Sequence, residues 1–290
     1  MQTTIVRMEL RSLALHALQQ TDPDAKVRVV QSLWPWPETG QVDTADRWSA
    51  PDQLPVGIPG RPARPVLIDP GRVPQRSPYT PQGLAALMHA VCHIEFNAIN
   101  LALDAIWRFA DLPAGYYLDW LRVAVEEASH FVMVRDHLRG LGFDYGDFDA
   151  HDGLWAMCIE TEHDVVARMA LVPRTLEARG LDATPIIQAK LRKVATPAAL
   201  SAVAVLDVIL RDEIGHVAVG NRWFHSLCQR QGLDPVAHDR LLQARHRAPR
   251  LKPPFNTQAR RMAGFTEQEM TQWDSPLTDT RASGPSTPAH

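Results

Sequence analysis

The chain has 290 residues, of which 45% are hydrophobic and 22% are charged, with a formal net charge of −3 and a pI near 6.5. This charge gives no global electrostatic reason to expect nucleic-acid binding. No apolar run approaches the roughly 20 residues that cross a bilayer, and the first residues lack the pattern of a secretory signal, so we expect a cytoplasmic protein with no membrane span.

Cysteine usage argues against two further classes of protein. Cys92, Cys158 and Cys228 are widely separated, odd in number and outside any C-x-x-C pattern. A disulfide framework or a zinc knuckle would need closer or paired spacings. We expect buried, reduced thiols.

Residues 1–79 form the first predicted region. Apolar spacing predicts a helix over residues 4–20. From about residue 34 to residue 80 frequent prolines remove amide donors and prevent long helices. We expect this second part to be an extended segment wrapped over the surface.

Residues 80–230 are predicted to form an all-α bundle. Thr80-Pro81 and Thr196-Pro197 each combine an N-cap residue with proline at the first helical position. No convincing strand pattern interrupts the helical spacing, which favours a four-helix bundle. The four core helices are expected between Thr80 and Leu112, from Pro113 to Gly140, from near Leu154 to about residue 194 with kinks near Pro173 and Gly180, and from Ala198 to Cys228.

The remaining residues divide into a C-terminal extension, 231–274, and a tail, 275–290. We expect one short helix in the extension. The Ser, Thr, Pro and Gly content of the tail predicts disorder. The extension also carries a basic run that could hold an anionic substrate, although a solvated surface is the favoured interpretation. This run contains Arg245, Arg247, Arg250, Lys252, Arg260 and Arg261.

Two Glu-x-x-His motifs carry the predicted chemistry. Glu127 precedes His130 in VAVEEASHF, and Glu213 precedes His216 in ILRDEIGHV. Residues at i and i+3 share one helix face, so each carboxylate and imidazole can reach a common ion. Apolar neighbours flank both motifs, and a buried carboxylate needs a partner, for which a metal ion is well suited.

Two further glutamates complete a repeated pattern. Glu95 lies 32 residues before Glu127, and Glu177 lies 36 residues before Glu213. Dinuclear iron and manganese bundles take one glutamate from each of two helices and one Glu-x-x-His from each of the other two. We therefore expect two metal ions, with glutamates bridging them. One ion is assigned mainly to Glu95, Glu127 and His130, and the other mainly to Glu177, Glu213 and His216.

The third helix offers an alternative ligand pair, Glu160 and His163. Glu160 lies 17 residues before Glu177, or about 25 Å along a helix, so both cannot serve one site. Parallel second and third helices would favour Glu177, whereas antiparallel ones would favour Glu160 or His163. We favour Glu177.

Several polar residues next to these motifs could support the site. Asp212 precedes Glu213 just as Glu126 precedes Glu127, and either acid could orient a histidine ligand, with a solvated role as the alternative. His93, Asn97 and Asn100 lie near Glu95 on the first core helix and could line a substrate pocket.

The segments HIEFNAINLALDAIWRFADLPAGYYLDWLRVAVEEASHF and RDEIGHVAVGNRWF resemble an uncharacterised bacterial family of ferritin-like proteins, a domain of unknown function. The resemblance implies a ferritin-like fold and a dinuclear site, without an established substrate. The LEAR segment around Glu177 is also similar to the third-helix ligand segment of tRNA-modifying di-iron hydroxylases, which favours that residue.

From this pattern we expect an oxygen-dependent di-iron or di-manganese oxidoreductase that acts on an unknown organic substrate. Mixed carboxylate and imidazole ligands suit iron first, with manganese or a mixed pair as alternatives. A ferritin-class iron-handling protein and a non-catalytic ferritin-like binding module are the other hypotheses. A small-molecule substrate, an electron donor and a homodimer are compatible with the sequence.

Overall fold

The computed structural model describes residues 9–38, 40–45 and 57–272. Over these residues the fold is all-α, and extended pairing is limited to two isolated bridges, Glu9 with Gln41 and Leu67 with Ala150. The predicted all-α class is therefore confirmed.

Two short helices come before the prolines. Helix α1 spans Leu10–Leu18 and packs on α3, and α2 spans Pro23–Ser32 and packs on α4. Asp22 begins α2 by accepting a 2.7 Å hydrogen bond from the Ala25 amide. Helix α2 was not predicted, although Asp22-Pro23 is a cap-plus-proline signal. The start predicted for the first helix, residues 4–8, lies outside the described residues.

The described parts of the extended segment are tied to the helical body by backbone bonds. The Gly60 amide donates to the Leu18 carbonyl at 2.7 Å, and the Ile68 amide donates to the Ala150 carbonyl at 2.9 Å. Within its described residues, the helical structure of the segment is a short 3-10 turn, Pro70–Arg72. It lies next to α1 and to the loop before α5.

Helices α3, Pro81–Arg108, and α4, Ala114–Gly140, pack along each other. Thr80 caps α3 as predicted, with its hydroxyl accepting from the Gly83 amide at 3.1 Å. α3 has the length and hydropathy of a membrane span, but 78% of its apolar window is buried inside the protein. Such burial is typical of the core helix of a soluble protein.

The predicted third helix is divided into three helices and a π-helical turn. Thr161 to Asp164 separate α5 from α6, and Asp164 recaps the chain by accepting from the amides of Val166 and Ala167. At Pro173, which lacks an amide donor, the backbone changes to π geometry. The segments are α5, Gly153–Glu160; α6, Val165–Leu171; the π turn, Val172–Glu177; and α7, Arg179–Val194.

Helix α8, Pro197–Gln231, contacts α4, α6, α7 and the π turn. It begins at the predicted Thr196 cap, and Gly232, with a φ of +66°, ends it in a left-handed conformation. The extension contains more helix than predicted: α9, Pro235–Arg245; α10, Thr257–Met262; and α11, Glu267–Gln272. The predicted tail, 275–290, lies outside the described residues.

A small second core fixes the extension to the bundle. Ala259, Phe265 and Met270 are buried against Leu181 of α7 and Val217 of α8. This packing places α10 and α11 beside the helices that carry Glu177 and Glu213.

Candidate metal centre

The two Glu-x-x-His motifs meet between α4 and α8. Glu127, His130 and His216 are buried, and one ligand atom from each lies within 4.8 Å of the others. Oε2 of Glu127 lies 3.3 Å from Nδ1 of His130, and its Oε1 lies 2.8 Å from Nδ1 of His216. One carboxylate thus faces both imidazoles, and this group could hold a metal ion.

Each imidazole is oriented by an acid from the opposite helix. Nε2 of His130, on α4, lies 3.2 Å from Asp212 on α8, and Nε2 of His216, on α8, lies 2.8 Å from Glu126 on α4. When Nε2 donates its proton to these acids, the Nδ1 atoms remain directed at Glu127. Such bonds fix the tautomer and ring orientation of a metal-binding histidine.

Three more glutamates complete the cluster. Oε2 of Glu95, on α3, lies 3.3 Å from Nδ1 of His130, and Oε2 of Glu213 lies 3.6 Å from Nδ1 of His216. Glu177, on the π turn, is close enough for its carboxyl group to interact electrostatically with Glu213 and Glu127. The six predicted residues therefore converge in one region of the fold.

The cluster leaves several buried polar atoms without a hydrogen-bond partner among the described residues. These atoms are Oε2 of Glu95, Oε2 of Glu177, Oε2 of Glu213 and Nδ1 of His216. The distances from Glu95 to His130 and from His216 to Glu127 are ion-pair distances that lack the geometry of a hydrogen bond. Unpaired buried carboxylate oxygens are costly, and native proteins rarely tolerate several of them together. Oxygen and imidazole nitrogen atoms directed at a common point fit a divalent metal ion.

The alternative pair from the third helix lies elsewhere. The side chains of Glu160 and His163 are 61% and 86% exposed. Glu160 faces His246 at 3.3 Å, and His163 faces Glu162 at 3.2 Å. The structure places Glu177, and not this pair, beside Glu213 and Glu127. The break between α5 and α6 differs from the kinked helix that the sequence predicted.

Within the cluster, protons held by the glutamates and histidines offset the negative charge of the carboxylates. Burial, followed by the charge of Glu127, raises the pKa of Glu95 to about 8, and burial also raises the pKa of Glu177 and Glu213. Burial alone would lower the pKa of His130, but Glu127 and Glu95 raise it to about 11. The His216 pKa is likewise raised, and the two imidazolium charges outweigh burial and hold the pKa of Glu127 far below its usual range.

Dense packing and a buried arginine fix the π turn that carries Glu177. A Cβ added to Gly220 of α8 would come within 2.5 Å of Pro173, so α8 and the turn approach as closely as glycine allows. Arg174 donates to Asn221 at 2.5 Å, to Asp239 at 3.0 Å and to Glu269 of α11. These contacts were not predicted from the sequence, since each joins distant parts of the chain.

A cavity of about 320 Å³ opens beside the cluster. Glu95, Glu177 and Glu213 line it together with mainly aliphatic side chains. His93 and Asn97 line it as the sequence suggested, whereas Asn100 accepts a hydrogen bond from the buried Lys26. The volume falls within the range of about 300–1,000 Å³ that is usual for small-molecule sites.

A comparison with known families matches residues 19–271 to a protein of unknown function, DUF455. The chain belongs to this family. A relative from Haemophilus influenzae (strain ATCC 51907 / DSM 11121 / KW20 / Rd), described as an uncharacterized protein, is 47% identical over 264 residues, covering 88% of this chain and 90% of the relative. No solved structure matches the chain. The family relationship extends over the whole cluster but assigns no chemistry to it.

Proposed function

We propose that this member of the family is a ferritin-like, dinuclear metalloprotein that uses two iron ions for the oxygen-dependent oxidation of an organic substrate. The bundle would consist of α3, α4, the α6–π turn–α7 segment and α8. The observation that carries the proposal is the convergence of four glutamates and two histidines, several with unpaired buried atoms, beside an apolar cavity.

The donor arrangement supports two ions. Glu95, Glu127 and His130 would mainly hold one ion, and Glu177, Glu213 and His216 would mainly hold the other. Glu127 could contribute to both, because one of its oxygens faces each histidine. Four carboxylates and two neutral imidazoles carry four negative charges, which two divalent ions would neutralise. This balance makes dinuclear loading of the buried site electrostatically reasonable.

Bound iron(II) would supply the electrons that reduce dioxygen, and the protein would direct the resulting oxidation. Insertion of one oxygen atom into a C–H bond also forms water and takes up two electrons and two protons. This reaction class therefore requires an external electron donor. Asp212 and Glu126 would hold the imidazole rings in place, and the aliphatic walls of the cavity would limit access of water to the substrate.

The cavity favours an enzyme over an iron-storage protein. Storage requires a path for iron ions, which acidic and hydrated surfaces provide. Here the space beside the cluster is lined mainly by aliphatic side chains such as Val91, Leu206 and Ile209. Such walls suit an organic molecule.

Metal content is the first test. We expect about two iron or manganese ions per chain after purification without chelators or after anaerobic loading with iron(II), as measured by elemental analysis. The Glu127→Ala/Glu213→Ala variant should lose them, whereas Glu160→Ala should retain them. Failure of the folded wild-type chain to bind iron(II) would contradict the metal site. Loss of metal only in Glu160→Ala would show that Glu160, and not Glu177, is the ligand from the third helix.

Oxygen reactivity is the second test. The iron(II)-loaded protein should consume oxygen when mixed with air-saturated buffer, and an electron donor together with a substrate should sustain that consumption. Assembly into a large shell that mineralises iron would instead support ferritin-class iron handling. Full metal loading without oxygen reactivity would leave a non-catalytic binding module.

A further inference from the structure

A second groove lies next to the cavity beside the metal centre. The groove has a volume of about 490 Å³ and lies between the start of α7 and the loop after α9. Arg179 and Ala183 line both spaces. The two spaces are therefore neighbours, separated by no more than these two side chains.

The groove is positively charged. Arg179, Arg250 and Lys252 line it, are exposed, and have no carboxylate partner among residues 9–38, 40–45 and 57–272. Asp182 is the acid of the lining, and it already accepts from Arg260 at 2.5 Å and from the Asn256 amide at 2.8 Å. Three cations are thus available to a ligand, and the one acid is neutralised.

The cavity has the opposite character. Aliphatic side chains including Ile94, Leu154, Leu176 and Ile187 line it, and aromatic rings are absent from this lining apart from the two imidazoles. Its acids are Asp149 and the three glutamates of the metal centre, and Arg179 is the one arginine or lysine among its described lining residues, so the cations that could pair with an anionic group lie at Arg179 and in the groove. The combined space therefore has an apolar compartment and a cationic end.

We propose that the combined space binds an amphipathic organic anion, with its aliphatic chain in the cavity and its carboxylate or phosphate group on Arg179, Arg250 and Lys252. Arginine forks and lysine ammonium groups both bind such oxyanions. As a substrate assignment this inference rests on the proposed function, because the chain would then lie against the oxidising centre. Binding itself needs no metal chemistry.

Isothermal titration calorimetry with the full chain tests the inference. The probes are decanoate, decyl phosphate and decan-1-ol, titrated into the metal-free protein and into the iron(II)-loaded protein under nitrogen. We expect at least one of the two anions to bind roughly ten-fold or more tightly than decan-1-ol, and the comparison between the anions identifies the preferred head group. Equal affinity for the alcohol and both anions, or no binding of any probe, would overturn the inference.

Variants locate the two ends of the ligand. Arg179→Gln and the double variant Arg250→Gln/Lys252→Gln should each weaken anion binding about ten-fold and leave decan-1-ol binding unchanged. Ala183→Phe places a ring where the two spaces join and should weaken binding of the anions. The matched control is Arg192→Gln, an exposed arginine on the same helix α7 whose partner is Asp207 at 3.7 Å.

These measurements separate failure of the inference from failure of the proposed function. If the protein binds iron and reacts with oxygen as expected but shows no preference for anions, the proposed dinuclear centre stands and the proposed substrate class is rejected. If the chain binds anions tightly through its arginines but takes up no iron(II), the anion-binding site stands and the proposed oxidation is rejected. Unchanged anion affinity in Arg179→Gln and in Arg250→Gln/Lys252→Gln would contradict the cationic end.

Discussion

At the scale of single residues, hydrogen bonds to one nitrogen of each imidazole decide which nitrogen faces the glutamate cluster. Asp212 and Glu126 bond the Nε2 atoms of His130 and His216, so Nδ1 of each ring is directed at Glu127. A carboxylate that holds a histidine ligand typically contributes 10- to 100-fold to metal affinity. The two acids that precede Glu127 and Glu213 in sequence therefore act on the histidine of the other motif.

Replacing either acid by its amide should weaken metal binding. Glu126→Gln and Asp212→Asn keep the size of the side chain but remove the charge that fixes the Nε2–H tautomer. We expect each variant to lower the affinity for iron(II) or cobalt(II) by about 10- to 100-fold in a competition assay with a chelator. Glu160→Gln, which changes an exposed acid, is the control, and equal affinities in all four proteins would contradict the orienting role.

Metal uptake should release protons, and affinity should rise with pH. In the metal-free protein the pKa of His130 is raised to about 11 and that of Glu95 to about 8, so both groups hold protons at pH 7. A metal ion must displace these protons, and the competition weakens as the pH rises through about 8 and Glu95 ionises. An indicator dye in weak buffer should report at least two protons released per fully loaded chain at pH 7. Loading without proton release would contradict this account.

At the scale of elements, the π turn is the feature on which the position of Glu177 depends. π-helical turns are rare and occur frequently at functional sites. Here Pro173 removes one amide donor, Gly220 of α8 admits the turn at close range, and Arg174 is held by three hydrogen-bond acceptors. The turn is thus fixed by contacts with α8 and with the C-terminal extension.

Gly220→Ala should displace the turn. The added methyl group would meet Pro173 at 2.5 Å, so the backbone around Glu177 must shift, and we expect a loss of about 1–3 kcal/mol in the free energy of unfolding together with reduced metal content. Gly215→Ala on the same helix is the matched control, because nothing lies within 4 Å of its new Cβ, and it should stabilise by up to about 1 kcal/mol. Urea unfolding and elemental analysis check both variants. Similar behaviour of the two would show that the contact is unimportant.

The elements differ in how far sequence could predict them. Thr80 and Thr196 cap their own helices through bonds to residues three positions away, so the starts of α3 and α8 were predicted correctly. Proline at 173 indicated a disturbance in the third helix, but the π turn packs closely against Gly220, 47 residues later, and such a contact cannot be read from local sequence. The ligand assignment of the six residues, obtained from spacing, stays a prediction. The groove formed by Arg179, Arg250 and Lys252 joins distant segments, so only a weak compositional signal was available.

At the scale of the whole molecule, a buried charge cluster joins α3 to α6. Asp104, on α3, is fully buried and accepts from Arg168 of α6 and, at 2.7 Å, from Arg108. Burial opposes ionisation of Asp104, but the two guanidinium groups outweigh it and lower its pKa. Its contribution to stability is therefore complete above the ordinary pKa of aspartate and is lost as the pH falls below it.

Asp104→Asn should destabilise the whole fold. It leaves the buried Arg168 charge without its main partner, and breaking a buried pair typically costs about 3–5 kcal/mol. Arg192→Gln removes one side of the exposed pair with Asp207 and should cost less than about 1 kcal/mol. Chemical denaturation at pH 7 compares the two variants, and a loss of similar size in both would contradict the structural role of Asp104.

The hydrogen bond between Arg174 and Glu269 determines how late in synthesis the π turn can be fixed by the extension. The carboxylate of Glu269, which holds this arginine, leaves the ribosome 92 residues after Glu177, well after all four glutamates and both histidines of the centre have been made. Until α11 docks, a nascent chain can collect its donor residues without fixing the turn that carries one of them. Under the proposed function, a chain that stalls before α11 would lack the contact between Glu269 and Arg174 and should load less iron than the full chain.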